Sequence, residues 1–275
     1  MKPTLICLLL ASFSLQAQLR VFGQIQDAEF NSPLPYVNIG IPGKGVGTVT
    51  DQAGYYELEI PDHLLNESIL FSMVGFTSVE RPISSLETGE EKLLSLKLQP
   101  EVTVLKEVVV TDAQWKALSM GNQSTSKRIV GGFSSNQLGN EIAQFVRVKK
   151  NKPTLLKEFW LSITENNIQD VILRFNVYNE IDGFPGENLL LAPVYISLPN
   201  LPETIIVDLS PYDIYVEDDF FIAIEWIEDL GIENLWFSAG VFGKSVYARS
   251  ASQSKWIRQK ALSIGMGVEI LQKEN

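Results

Sequence analysis

The chain has 275 residues, a formal net charge of −11, a pI near 4.7, and 45% hydrophobic and 10% aromatic residues. That length is enough for two modest cores, and the composition excludes a disordered or collagen-like chain. An acidic chain repels phosphate backbones, so nucleic acid is not an expected partner. Its charges are dispersed and read as solubility.

The first residues read as a targeting segment. Lys2 supplies the positive start, residues 5–15 an apolar run, and Leu15-Gln16-Ala17 a small-residue cleavage signal before Gln18. Residues 1–17 are therefore expected to be a signal peptide. The run is too short to span a bilayer, and no second one follows, so the mature chain is expected to have no transmembrane segment. Cys7, the single cysteine, lies inside this run, where it is misplaced for lipid attachment. The mature chain then offers no disulfide, thiolate nucleophile or cysteine zinc site, and its charge becomes −12 with Lys2 gone. Export without cysteine points to a bacterial envelope or secreted protein.

Residues 19–27 read as a strand with Leu19, Val21, Gly23 and Ile25 on one face, and residues 31–35 as a turn. Residues 36–41 form a second strand with Val37, Ile39 and Ile41 aligned. Gly43, Gly45 and Gly47 lack the spacing and the following helix of a dinucleotide fingerprint and fit a hairpin loop. Asp51-Gln52-Ala53-Gly54 turns the chain into a strand with Tyr56, Leu58 and Ile60 inward and Tyr55, Glu57 and Glu59 toward solvent. Further strands are read at 68–74, at 77–81 as an edge ended by Pro82, at 92–98 with Leu94, Leu96 and Leu98 inward, and at 105–111. About seven short strands separated by turns predict a β-sandwich over residues 18–111.

Val21-Phe22-Gly23-Gln24-Ile25, Leu34-Pro35-Tyr36-Val37-Asn38-Ile39, the run from Gly47 to Tyr56, and Ile69 to Phe76 occur in that order. Together they resemble the carboxypeptidase-regulatory-like domain of Bacteroidota envelope proteins. The resemblance implies a transthyretin-like seven-stranded sandwich. Residues 105–111 also resemble the strand that leads from such a domain into the plug of TonB-dependent receptors. Residues 112–275 are too few for a large outer-membrane barrel and lack its tilted alternating strands, so a receptor is not expected.

Residues 112–132 are rich in Ser, Gly, Gln and Asn and read as a linker. Residues 133–275 alternate through about nine strands, clearest where Val171, Leu173, Phe175 and Val177 oppose Ile172, Arg174, Asn176 and Tyr178. Without a long amphipathic helix among them, they predict a second, jelly-roll-like β-sandwich. The fold class is thus all-β. The run from Leu173 to Tyr178, the Asp182-Gly183-Phe184-Pro185-Gly186 turn, and Tyr247-Ala248-Arg249 before Lys255-Trp256 resemble galactose-binding-like jelly rolls of secreted bacterial proteins. Such a resemblance fixes no ligand.

Chemistry is sparse. His63, the single histidine, follows Pro61 in a loop, and the nearby Ser68 and Ser72 lie on a strand with no elbow motif, so a Ser-His-Asp triad is not expected. Zinc would need several His or Cys ligands. Acidic pairs at Asp218-Asp219, Glu228-Asp229 and the 182–187 turn fit solvated turns, with calcium at Asp182 and Glu187 as a further reading. Four of the five tryptophans fall in the second block. Trp226 shares a face with Ile222 and Ile224 and reads as core. Trp256, with Tyr247 and Arg249 nearby, is the candidate ligand platform, weighed against plain packing. The leading expectation is a non-enzymatic exported envelope protein that binds protein partners, in the periplasm or associated with the outer membrane. A carbohydrate-binding module in the second sandwich is the alternative, and a hydrolase of unknown class the third reading. The partner is thus an envelope protein or a glycan, and no cofactor is expected beyond calcium.

Overall fold

The computed structural model of the chain describes residues 18–86, 91–101, 114–133, 135–166, 168, 171–229, 231, 235–241 and 245–273. The targeting segment and the strand expected at 105–111 lie outside the described residues. The first unit contains β1 (Gln18–Asp27), β2 (Asn38–Ile41), β3 (Val46–Val49), β4 (Tyr55–Pro61), β5 (Ser68–Ser72), β6 (Val79–Pro82), β7 (Glu91–Leu93) and β8 (Leu96–Leu98). β1 pairs antiparallel with β4 and parallel with β7 and β8, and β3-β2-β5-β6 form a second, antiparallel sheet. The alternation read from the sequence is realised in β4, where Tyr56, Leu58 and Ile60 are buried and Tyr55, Glu57 and Glu59 exposed. Val21, Ile25, Leu58 and Ile60 from one sheet meet Ile39, Ile69 and Phe71 from the other in one core. Glu57 pairs with Arg20 across β1 and β4, and this guanidinium holds its carboxyl below the usual range. The strand expected at 92–98 is two short strands. Between them Leu94 N donates to Phe22 O at 2.8 Å and Ser95 Oγ accepts from Gln24 N at 3.1 Å.

The turn before β2 is unusual. Tyr36 follows Pro35 with φ 60°, a left-handed conformation that a bulky side chain rarely adopts. The fully buried Thr50 stabilises it: its hydroxyl donates to Leu34 O and accepts from Val37 N, both at 2.8 Å, while Thr50 O accepts from Tyr36 N at 3.0 Å.

The second unit contains β9 (Trp115–Gly121), β10 (Val130–Gly132), β11 (Glu141–Val146), β12 (Thr154–Asn166), β13 (Ile172–Ile181), β14 (Phe184–Asn188), β15 (Val194–Ser197), β16 (Thr204–Asp208), β17 (Tyr215–Val216), β18 (Phe220–Trp226), β19 (Leu235–Val241), β20 (Val246–Arg249), β21 (Ile257–Gln259), β22 (Leu262–Ile264) and β23 (Met266–Lys273). One sheet runs β10-β19-β12-β23-β9, with β16 and β17 also on β12 and β22 on β19. The other runs β14-β13-β18-β11-β20-β21, with β15 also on β13. Phe159, Phe175, Phe220 and Phe237 lie in the core between the two sheets, with the Phe159 and Phe175 rings 4.7 Å apart. Trp226 is buried there, edge-on to Phe133.

The linker reading of residues 112–132 is corrected. β9 zips antiparallel along β23 from Gly121↔Gly267 to Trp115↔Lys273, and β10 pairs with β19. The Asn and Ser residues between them anchor the segment to distant strands and leave no free tether: Asn122 Nδ2 donates to Ser263 O of β22 at 3.0 Å and Ser124 Oγ to Ala239 O of β19 at 2.9 Å. The chain is all-β, built of two sandwiches. Among the described residues, no helix is long and apolar enough to cross a membrane.

Candidate functional site

In the β13–β18–β11–β20 sheet, alternate residues leave the core for the opposite face. There the register aligns four charged residues in one transverse row: Arg174↔Glu225, Glu225↔Glu141 and Glu141↔Arg249. Positive ends thus flank two adjacent carboxylates, and all four side chains are buried. Arg174 contacts Glu225 Oε2 through Nε at 2.9 Å and through Nη2 at 2.8 Å, and Arg249 Nη2 contacts Glu141 Oε2 at 2.6 Å. Asn176 Nδ2 lies between the acids, 2.8 Å from both Glu141 Oε1 and Glu225 Oε2. Tyr178 donates to Glu141 Oε1 at 2.9 Å and accepts from Arg249 Nη2 at 3.3 Å.

Two cations and two anions make the row neutral, as burial demands. Burial nevertheless dominates at Glu141 and raises its pKa to about 7. Arg249 opposes that shift and the neighbouring Glu225 adds to it. Burial acts to lower both guanidinium values, but their carboxylate neighbours more than offset it and leave them raised. Burial, then Glu141, raises the Tyr178 phenol. Glu225 Oε1 and Arg249 Nε lack a hydrogen-bond partner among the described residues.

The first sandwich covers this row. Arg174 Nη1 donates to Tyr36 O at 2.6 Å and Nη2 to Asn38 Oδ1 at 2.7 Å. Around it, the Tyr36 hydroxyl donates to Glu228 Oε1 at 2.5 Å, and Gln52, in the Asp51 turn, reaches the same oxygen at 3.0 Å. Gln253 Nε2 donates to Ser72 Oγ at 2.7 Å and Gln253 O accepts from Gly43 N at 2.8 Å. Tyr36 and Val49 pack with Ile227 in a small apolar cluster. Gly47 is glycine for closeness: a Cβ there would lie 2.2 Å from Ser252 O. The loop read as a simple hairpin is therefore also a docking surface.

Beside these contacts an open cleft of about 690 Å³ separates the sandwiches. Arg174, Asn176, Tyr178 and Arg249 lie along its second-sandwich side, while Met73, Phe76, Leu189 and Leu191 give it apolar walls. That is the size range and the mixed lining of a ligand site.

Residues 21–110 match the family model of the CarboxypepD_reg-like domain. The first sandwich is similar to that domain, and the match covers about a third of the chain. The chain is also 26% identical over 160 residues to TonB-dependent receptor P3 of Formosa agariphila, covering 58% of this chain and 14% of that protein. It is 33% identical over 142 residues to TonB-dependent receptor P39 of the same organism, covering 50% of this chain and 12% of that protein. The match spans a small fraction of both receptors. Among solved structures, BcpA, the major pilin subunit of Bacillus cereus, is 13% identical and aligns with 90% of this chain and 68% of its own, at a TM-score of 0.20. Overlap of that order bears on neither fold nor function.

The first sandwich thus supplies one wall of the cleft, and of the residues singled out in the sequence only Arg249 and Glu187 line the other. Arg249 ends the buried row. Trp256 is half-buried, edge-on to Tyr178 at 5.8 Å, with the Arg249 guanidinium 4.9 Å from its centroid. Tyr247 is buried against Phe221 and Phe184. Asp182 is exposed at the tip of the β13–β14 hairpin with φ 51°, and Glu187 N donates to Asn179 Oδ1 at 2.7 Å. Among the described residues, no group of three His, Cys, Asp or Glu side chains is placed to hold a metal. His63 is exposed in the 3-10 turn Asp62–Leu64. Sequence reasoning missed Glu141, Arg174, Asn176 and Glu225. Their one signal was polar residues at alternate positions of strands otherwise made of large apolar ones.

Proposed function

We propose that the chain is a non-catalytic binding module of the bacterial cell envelope, exported by residues 1–17, whose cleft between the two sandwiches receives a segment of an envelope protein. The observation that carries this is Arg174, which belongs to the second sandwich and hydrogen-bonds the first through Tyr36 and Asn38. It ties the two walls together, so the cleft is pre-formed and a ligand need not order it. The apolar walls suit protein side chains, and the polar floor sets their orientation. Similarity to TonB-dependent receptors supports the envelope address. The reading through Trp256 as a sugar platform has less support, because one edge and one face of its ring are engaged by Tyr178 and Arg249.

The test is site-specific photo-crosslinking in intact cells. A photoreactive residue at the position of Leu191 should trap a discrete envelope protein, and Phe76→Asp should abolish the product. The same probe at Ile206, on the far sheet, should give none. Equal products from both positions would overturn the assignment.

A further inference from the structure

The outer face of the other sheet of the second sandwich carries a different arrangement. Its register aligns Ile206↔Trp160, Trp160↔Gly267 and Gly267↔Gly121 in one row across β16, β12, β23 and β9. Large side chains are missing beyond Trp160 for a reason: a Cβ on Gly267 would lie 2.2 Å from Trp160 Cζ2 and 2.6 Å from Cη2. The six-membered ring of the indole therefore lies over the glycine of the next strand. Its Nε1 is directed to Asn122 O at 3.5 Å. Ile206, 67% exposed, extends the apolar floor on the other side.

The next row holds acids instead. Asp208↔Glu158 and Glu158↔Glu269 are cross-strand neighbours, followed by Ser119. Like charges directly opposite each other destabilise a sheet, and neither Glu158 nor Glu269 has an ion-pair partner among the described residues. A depression of about 240 Å³ lies over both rows, with Gln123, Thr125 and Thr204 on its rim. None of its lining residues is Lys, Arg or His.

We propose that this depression is a subsite for a pyranose ring that carries no negative charge. An apolar floor beside carboxylate oxygens, which accept hydrogen bonds, matches a molecule with a C–H face and a belt of hydroxyl donors. The same carboxylates repel uronates and sulfated sugars, which supplies specificity by exclusion. The site lies on the sheet opposite the cleft and does not depend on the reading given to that cleft.

The test is isothermal titration of the full chain with cellohexaose, xylohexaose, mannohexaose and laminarihexaose, with oligogalacturonate as the charged probe. At least one neutral oligosaccharide should bind and the galacturonate should not. Trp160→Ala should weaken binding about tenfold or more, as loss of the stacking surface implies. Glu269→Gln, a surface change that leaves the fold intact, should weaken it less and relax the rejection of the charged probe. Trp256→Ala and Phe76→Asp should leave sugar affinity unchanged, which separates this site from the cleft. The proposal is overturned if no neutral oligosaccharide binds at millimolar concentration, if affinity survives in a folded Trp160→Ala, or if galacturonate binds equally well.

Discussion

Arg174 donates a 2.6 Å hydrogen bond to the carbonyl oxygen of Tyr36, a residue held at φ 60° in the other sandwich. A strained main-chain turn in one unit thus meets a buried cation of the other. The cation is neutralised within its own sheet by Glu225. The two sandwiches are joined by polar contacts as much as by apolar area.

Arg174→Ala should therefore cost about 3–5 kcal/mol, since it leaves Glu225 buried without its cation, held by the Asn176 amide alone among the described residues. Urea denaturation followed by fluorescence checks this, and the single transition should broaden or split as the sandwiches uncouple. The double change Arg174→Met with Glu225→Leu should recover much of the loss, because an apolar pair needs no desolvation of charge. It should not restore the link to Tyr36.

The pH dependence of stability should carry the signature of Glu141. Its folded pKa of about 7 lies above the ordinary value of 4.5, chiefly because it is buried. Between those values the folded protein holds the proton that the unfolded chain has lost. Its contribution is complete below about pH 4.5, falls as pH rises, and is gone above about pH 7. Comparing the melting temperatures of wild type and Glu141→Gln across this window isolates the effect, and the variant should lack this decline. A decline that persists unchanged in the variant places its origin elsewhere.

Gly47→Ala should destabilise by about 1–3 kcal/mol, because its Cβ would meet Ser252 O at 2.2 Å and force the sandwiches apart. Gly45→Ala is the informative contrast. Nothing lies within 4 Å of its Cβ, but its φ of +74° makes any side chain strained. The first should alter proteolytic susceptibility at the 251–253 segment and the second should not.

Trp256→Ala should lower stability by about 2 kcal/mol through loss of its contacts with Tyr178 and Arg249. Thermal denaturation at pH 6 and pH 8 provides the measurement. Loss of sugar affinity without loss of stability is the contrary outcome.

The first sandwich was legible because its periodicity is local. Tyr56, Leu58 and Ile60 alternate with Tyr55, Glu57 and Glu59, and the turn at Asp51 follows from its own Asx hydrogen bonds: Asp51 Oδ1 accepts from Ala53 N and Tyr55 N. β9 was not legible. Trp115 to Gly121 has weak alternation, and its partner is β23, about 150 residues further on, so its conformation is set by pairing rather than propensity. The ion row was hidden for a related reason. Arg174, Asn176 and Glu225 sit on faces that alternation assigns to solvent, and what covers them is a separate sandwich far away in sequence. Trp160 had no reading of its own beyond being one of the four tryptophans of the second block. Its half-buried setting depends on Gly267 and Gly121, which only the register brings alongside it.

The buried row also bears on modularity. Each sandwich has its own core, yet the second completes the hydrogen bonding of Arg174 with groups borrowed from the first. Cut free between the two, it would open a lattice of arginine and glutamate to water and carry a hydrated, self-compensated patch where the intact chain buries it. The two halves would then not be interchangeable cassettes. A heterologous partner would serve only if it offered a carbonyl and an amide oxygen at the positions of Tyr36 and Asn38.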